Sequence, residues 1–296
     1  MNCIFKLIKY KKMPEGPEVT IVRNFMEKQI KNKYILGIFI DRNSKFVSNG
    51  IPGMNYFEGP VKVLDVTNKG KYIFIEIYNE KTEEIYYIYN HLNMEGKWML
   101  ERGAHSNLWM IIGENKNKNN IFEKTFELFF NDTRKFGKFE IMTVDEYNNK
   151  ITKDIGPDLL NEVVTWEQYY NKFKDVTSRT RTMDIAAFLL QQKYFSGIGN
   201  YLKSEVLYHA RINPFRKLST LTDNEIYNVY TKSLQLIKLA YDQGGMTIKS
   251  FVNPFNNNNG GFRPSVYGQP HDPNGYTVVI SEQKDRSTHW VEELQI

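Results

Sequence analysis

Q-K-Y-F-S-G-I-G-N-Y-L-K-S-E-V-L, residues 192–207, is the stretch that decides the fold of the second half of the chain. Its G-I-G-N at 197–200 reads as a glycine turn that opens a helix from Asn200. Helices fit 181–194 and 200–211 on either side of that turn. Outward from it, Thr165-x-x-Gln168 and Thr222-x-x-Glu225 are capping boxes ahead of further helical patterns. The second of these carries Ile226, Val229, Tyr230, Leu234, Ile237 and Tyr241 at 3–4 spacing, and Gly244-Gly245 ends it. A helical domain is therefore expected over 146–246.

The residues before it read differently. Short apolar or alternating runs at 34–40, 61–66, 72–78, 84–89, 98–100, 108–112, 126–130 and 139–142 are broken by Gly, Asn, Lys and Pro, which predicts a β-sandwich or barrel. E-N-K-N-K-N-N at 114–120 reads as a solvated loop. A helix is expected over 15–31, with Val19, Val22, Phe25, Met26 and Ile30 on one face and Pro17 in its first turn. After the helical domain, N-N-N-N with Gly260-Gly261 is a loop, and two strands, 276–280 and 288–291, are joined by S-E-Q-K-D-R-S. The organisation predicted is α+β: 1–12 a leader or mis-assigned start, 13–145 an N-terminal helix with a β-sandwich, 146–246 helical, and 247–296 a loop and β-hairpin.

Composition bounds the function. The chain has 296 residues, 39 Lys plus Arg against 34 Asp plus Glu, and a net charge of +5. That excess permits an anionic partner. With 41% hydrophobic and 14% aromatic residues the chain is neither disordered nor fibrous. No apolar run approaches the ~18–20 residues of a membrane span. The single cysteine, Cys3, excludes an internal disulfide framework and a Cys₄ or Cys₂His₂ zinc site, and fits a reducing compartment.

Chemistry concentrates in a few segments. In M-P-E-G-P-E-V, residues 13–19, removal of Met13 would leave Pro14 with a secondary α-amine. Such an amine has a pKa of roughly 7.7–8.0 against roughly 10.4 for lysine, so its neutral fraction at pH 7 is several hundred-fold larger. It can attack a sugar carbon and become an iminium, an electron sink for elimination. Glu15 is a candidate general acid and Glu18, one turn on, a positioning carboxylate. The same segment also reads as a plain helix start, with Pro at N1 and acids favoured by the dipole. In K-G-K-Y at 69–72, Gly70 turns the backbone and Lys71 either faces a phosphate or is a solvated edge charge.

H-L-N-M-E-G at 91–96 and N-D-T-R-K-F-G at 131–137 offer Met94 and Phe136 as wedges for a base stack and Arg134 as a donor fork; the alternative is two core caps and a surface ion pair. At 197–200 the glycines and the helix start suit a phosphate, to which Asn200 can donate. In K-D-R-S-T-H-W at 284–290, Arg286 at a hairpin tip suits a phosphate clamp or is an ordinary polar turn.

Taken in this order and spacing, these segments resemble the formamidopyrimidine-DNA glycosylase/endonuclease VIII family over about residues 13–295. The resemblance implies a bifunctional DNA glycosylase and AP lyase of base-excision repair, acting on double-stranded DNA with an oxidised base or abasic site. It implies Pro14 as Schiff-base nucleophile, Glu15 as catalytic acid, Glu18 as the second acid of that helix and Lys71 near the flipped nucleotide's phosphate. Met94, Arg134 and Phe136 correspond to void-filling residues, Asn200 to the helix–two-turn–helix asparagine and Arg286 to the finger-tip arginine. No metal or organic cofactor is implied, and the protein is expected to be a monomer. Two departures stand out. Twelve residues precede Met13, and while they remain Pro14 is an amide; translation from Met13 is expected, and a non-catalytic binder of damaged DNA with a blocked amine is the alternative. The finger lacks four cysteines and resembles the zincless finger of some relatives, with Trp290, Val278 and Ile280 as packing residues. This leans towards the endonuclease VIII-like branch, with oxidised pyrimidines and ring-opened purines as substrates.

Overall fold

The computed structural model describes residues 13–117, 121–180, 182–247, 251–283 and 286–296. The expected leader, residue 181 and the tip residues 284–285 lie outside them. Helix α1 (Gly16–Ile30) begins after Glu15, one residue inside the predicted range at each end. It buries Val19, Val22, Phe25, Met26 and Ile30 against the sheet.

The sheet has eight antiparallel strands: β1 (Tyr34–Ile40), β2 (Val61–Lys69), β3 (Tyr72–Asn79), β4 (Glu84–His91), β5 (Lys97–Met99), β6 (Ser106–Lys116), β7 (Phe122–Asn131) and β8 (Lys138–Thr143). Their order is β5-β7-β6-β1-β2-β3-β4-β8. Two rungs, Tyr34–Lys62 and Ile35–Val61, join β1 to β2, whereas the neighbouring ladders are long. This short seam divides the sheet into two four-stranded halves that close on each other as a sandwich. The closure is visible at the far edges: Trp98 of β5 packs on Phe139 of β8 and donates to Asn90 Oδ1 of β4 at 3.0 Å. Val63, Ile75, Ile77, Ile88, Met110, Ile112 and Leu128 fill the space between. The predicted loop over 114–120 is shorter than expected, because β6 continues to Lys116 and its ladder ends at Lys116–Phe122.

Short helices α2 (Lys45–Asn49) and α3 (Val144–Asn149) flank the sheet. The helical half contains α4 (Trp166–Arg179), α5 (Ile185–Leu190), α6 (Asn200–Ala210) and α7 (Asp223–Asp242). Both expected capping boxes are present, Thr165 with Gln168 and Thr222 with Glu225. The helix predicted over 181–194 is corrected to α5. Asp184 caps its start by accepting from the Ala187 amide at 2.8 Å, and at Gln191 the backbone turns extended. The side chain of Gln192 then ties a double turn together. Its Nε2 donates to the Ile198 carbonyl at 2.7 Å and its Oε1 accepts from the Gly197 amide at 3.1 Å. These turns join α5 to α6.

The terminal hairpin is β9 (Val279–Gln283) with β10 (Arg286–Trp290), offset from the predicted 276–280 and 288–291. Val278, Val291, Val266 and Tyr208 form its small core, and Trp290 donates to Ser281 Oγ at 3.0 Å. Ile280, expected to pack, points away and is 40% exposed, because the alternation of the hairpin places Val279 and Ser281 on the other face.

Candidate active site

The site forms where α1, the β2–β3 turn, the start of α6 and the hairpin meet. Gly70 takes φ +56° in that turn and donates to Asp158 Oδ2 at 2.7 Å, which holds the turn against the helical half. Asp158 is buried and also caps the amides of Leu160 and Asn161. The turn delivers Lys71, 6% exposed, to the site.

Pro14 is buried directly before α1. Glu15 follows, and its carboxylate sits on the N-terminus of α6. It accepts from the amides of Gly199 at 2.6 Å, Tyr201 at 2.8 Å and Leu202 at 3.2 Å. These are the orphan donors of a helix start, so the helix end that was expected to take a phosphate instead takes a carboxylate. The close approach needs Gly199: a methyl there would stand 2.5 Å from Glu15 Oε1 and 2.6 Å from Lys71 Nζ. Glu18, fully buried, accepts from the Glu15 amide at 2.8 Å, the Met246 amide at 2.8 Å and the Tyr201 hydroxyl at 3.0 Å. It ties α1 to α6 and to the segment after α7.

Burial sets the protonation of this cluster. It raises Glu15 to about 7, helped by the Glu18 charge and opposed by Lys71 and the α6 amides. Burial also raises Glu18, against the donors that favour its carboxylate. Lys71 moves the other way, down to about 8, through burial and the charge of Arg286, while Glu15 holds it up. A carboxyl and an amine are thereby both brought near neutrality, where either can exchange a proton at physiological pH.

Asn200, almost buried, points its Nδ2 at Ser287 Oγ, 3.4 Å away. Arg286 is exposed at the start of β10, and its charge is felt by both Lys71 and Lys203. The geometry thus gathers Pro14, Glu15, Glu18, Lys71, Asn200 and Arg286 in one region. Met94, Arg134 and Phe136 form a second group on the loops after β4 and after β7. Arg134 Nη1 reaches Met94 Sδ at 3.3 Å, and its Nε pairs with Glu95 at 3.1 Å. Met94 is 8% exposed and Phe136 55% exposed. Asn93 Nδ2 donates to the Phe136 carbonyl at 2.6 Å, which joins the loops.

Several contributors lay outside the sequence reading. Asp132, buried, templates the 132–137 loop by accepting from the amides of Arg134 at 3.2 Å and Gly137 at 2.6 Å. His91, half-buried next to Tyr72, is pushed down to about 3 by burial and by Lys71, Lys138 and Lys150. Lys203 is wholly buried on α6, and burial takes its amine down to about 7. A cavity of about 180 Å³ lined by Phe25, Trp98, Met99 and Pro254 lies about 15 Å along α1 from Glu15, too far to join this chemistry. Among the described residues no group of three or more His, Cys, Asp or Glu is placed to hold a metal ion.

Comparison with known proteins addresses the chain as a whole. Residues 13–139 match the formamidopyrimidine-DNA glycosylase N-terminal domain, and residues 155–252 the formamidopyrimidine-DNA glycosylase H2TH domain. The formamidopyrimidine-DNA glycosylase of a Wolbachia species is 29% identical over 290 residues, covering 96% of this chain and 100% of the relative. That of Bacillus cereus is 29% identical over 286 residues, covering 94% and 97%. The crystal structure of the MutM (Fpg) protein of Thermus thermophilus superimposes with a TM-score of 0.78 at 23% identity, over 95% of this chain and 98% of that one. Lactococcus lactis Fpg in complex with DNA containing an abasic site gives 0.76 at 25% identity, over 95% and 99%. Fold and relatives support a DNA glycosylase of base-excision repair. The chain belongs to the formamidopyrimidine-DNA glycosylase/endonuclease VIII family.

Proposed function

We propose that the protein removes oxidised bases from duplex DNA and then cuts the strand, using Pro14 as its nucleophile. The observation that carries this reading is Glu15: a carboxyl raised to about 7, beside Pro14, anchored on α6 and facing Lys71. The chemistry requires Pro14 as a free secondary amine, hence a chain that starts at that residue.

A damaged base costs only a few kcal/mol to unstack and can be turned out of the helix. The Pro14 nitrogen attacks C1′ of its deoxyribose as the glycosidic bond breaks, and Glu15 supplies a proton towards the departing base. Ring opening gives an iminium between Pro14 and the sugar. Loss of a C2′ proton then expels the 3′ phosphate, and a second elimination expels the 5′ phosphate. Water hydrolyses the iminium and frees the amine, leaving a one-nucleotide gap. Lys71, with an amine near neutrality, stands where it can exchange protons during these eliminations. Glu18 keeps α1 registered against α6. Asn200, Arg286 and Lys71 hold the phosphates flanking the lesion, and Met94, Arg134 and Phe136 occupy the gap left by the base. The scheme uses no metal or organic cofactor.

The substrates proposed are ring-opened purines and oxidised pyrimidines. The relatives are named for formamidopyrimidine, and the cysteine-free hairpin carries the lean towards pyrimidines. Duplexes containing formamidopyrimidine, thymine glycol or 8-oxoguanine opposite C test this. Cutting of the first two is expected. Cutting of 8-oxoguanine alone would reject the proposed preference, and binding without cutting by protein that starts at Pro14 would reject the enzyme reading.

A further inference from the structure

A lysine with no exposed surface is costly unless its donors are satisfied. Protonated Lys203, the form that prevails below about pH 7, satisfies all three. Its Nζ donates to Asn200 Oδ1 at 2.8 Å, to Thr288 Oγ1 at 2.8 Å and to the Ser287 carbonyl at 3.2 Å. None of these partners is a carboxylate, so the site is built around directed donors and not around an ion pair.

The Asn200 contact has a directional consequence. An amide presents an acceptor at one end and two donors at the other. With Oδ1 committed to Lys203, Nδ2 points the other way, towards Ser287 Oγ. A flipped amide would set Nδ2 against the lysine, donor to donor, and present an acceptor to any phosphate. We propose that Lys203 is a positioning residue that locks the Asn200 amide with its donors towards the DNA backbone. It acts from one turn further along α6, three residues on, where side chains share a face. The same ammonium holds β10 on α6, assisted by the His289 amide donating to Ser204 Oγ at 3.3 Å. Asn200 and the strand that bears Arg286 are thereby fixed to one atom.

This inference rests on the proposed phosphate-binding role of Asn200, and its test does not need catalysis. Affinity for a duplex carrying a tetrahydrofuran abasic analogue is measured at pH 6 in wild type, Lys203→Met, Asn200→Ala and the double variant. Lys203→Met is expected to weaken binding about 10- to 100-fold, as for loss of a charge-assisted hydrogen bond. In the Asn200→Ala background the same change is expected to cost several-fold less than in the wild type, the remainder coming from the loosened strand that bears Arg286. Lys203→Arg, which keeps the donors, is expected to restore most of the affinity. Equal losses in both backgrounds would show that Lys203 only anchors the hairpin, and would overturn the inference. So would unaltered binding in Asn200→Ala, even if the wild type still cuts lesions, in which case the glycosylase reading stands alone. A measurement on the wild type covers the case in which Lys203→Met does not fold. Nuclear Overhauser contacts of the Asn200 Nδ2 protons are expected to be stronger to Ser287 Hβ than to Lys203 Hε; the reverse order would overturn the inference.

Discussion

The Glu15–Glu18–Lys71 cluster and the Met94–Arg134–Phe136 loops are built in opposite ways. The cluster is enclosed: its residues come from the start of α1 and the β2–β3 turn, α6 closes over them, and its carboxylates accept from five backbone amides and a hydroxyl. The loops are more open: Phe136 faces solvent and Arg134 pairs with a partly exposed Glu95, although Met94 is buried beneath them. Enclosure shifts pKa values and fixes geometry, which chemistry needs. Openness leaves side chains free to enter a base stack, which recognition needs. Changes in the cluster should therefore alter rates on bound DNA, and changes in the loops should alter binding.

The largest effect is expected at Pro14. Acetylating its nitrogen should reduce strand cutting on the order of 10³-fold or more while duplex binding persists, because the lone pair is removed and the phosphate contacts are not. Single-turnover gel assays read the rate, and fluorescence anisotropy reads the binding.

Glu15→Gln comes next. Excision of a damaged base should fall about 10²- to 10⁴-fold, the usual worth of a positioned acid. Cutting at a pre-formed abasic site, where no base must leave, should fall much less. In the wild type the protonated fraction of Glu15 declines above about pH 7, so excision should lose rate there, and this limb should vanish in the variant. Stability should follow the same group. Its folded pKa lies above its ordinary 4.5, so the folded state binds more protons between about 4.5 and 7 and loses stability as pH rises through that window. Glu15→Gln should flatten this part of the Tm-against-pH curve.

Gly199→Ala probes the enclosure. The methyl would press on Glu15 Oε1 and Lys71 Nζ. A cost of about 1–3 kcal/mol is expected in denaturant unfolding, with slower excision, as for other overpacked sites. The smallest effects belong to the open loops. Arg134→Ala and Phe136→Ala should weaken lesion-duplex binding by about ten-fold or less, with the rate on saturating enzyme nearly kept. A Phe136 variant that lost rate and kept affinity would erase the distinction between the two regions.

What the sequence disclosed follows from how far apart the partners lie. The capping boxes at Thr165 and Thr222 and the helix opening at Asn200 are local signals, read within four residues. The pattern over 181–194 overshoots α5 at both ends: Asp184 caps its start, and beyond Leu190 the side chain of Gln192 bonds Ile198 and Gly197, contacts that compete with helix propensity and have no spacing signature. The sequence marks Glu15 as an acid, but its three donors at the start of α6 stand more than 180 residues away, so its raised pKa has no local signature. Lys203 stayed hidden because two of its three acceptors lie on β10. Asp132 stood in plain view inside N-D-T-R-K-F-G, and only the fold shows that it is the frame of that loop.

In the proposed reaction every later step depends on a covalent bond between Pro14 and the sugar. Borohydride reduction of protein starting at Pro14, mixed with a duplex bearing an abasic site and followed by peptide mass mapping, tests it most directly. A covalent adduct is expected on the Pro14 peptide and none when residues 1–13 are retained. An adduct mapped to Lys71 or Lys203, or one formed in equal yield with the longer chain, would contradict it.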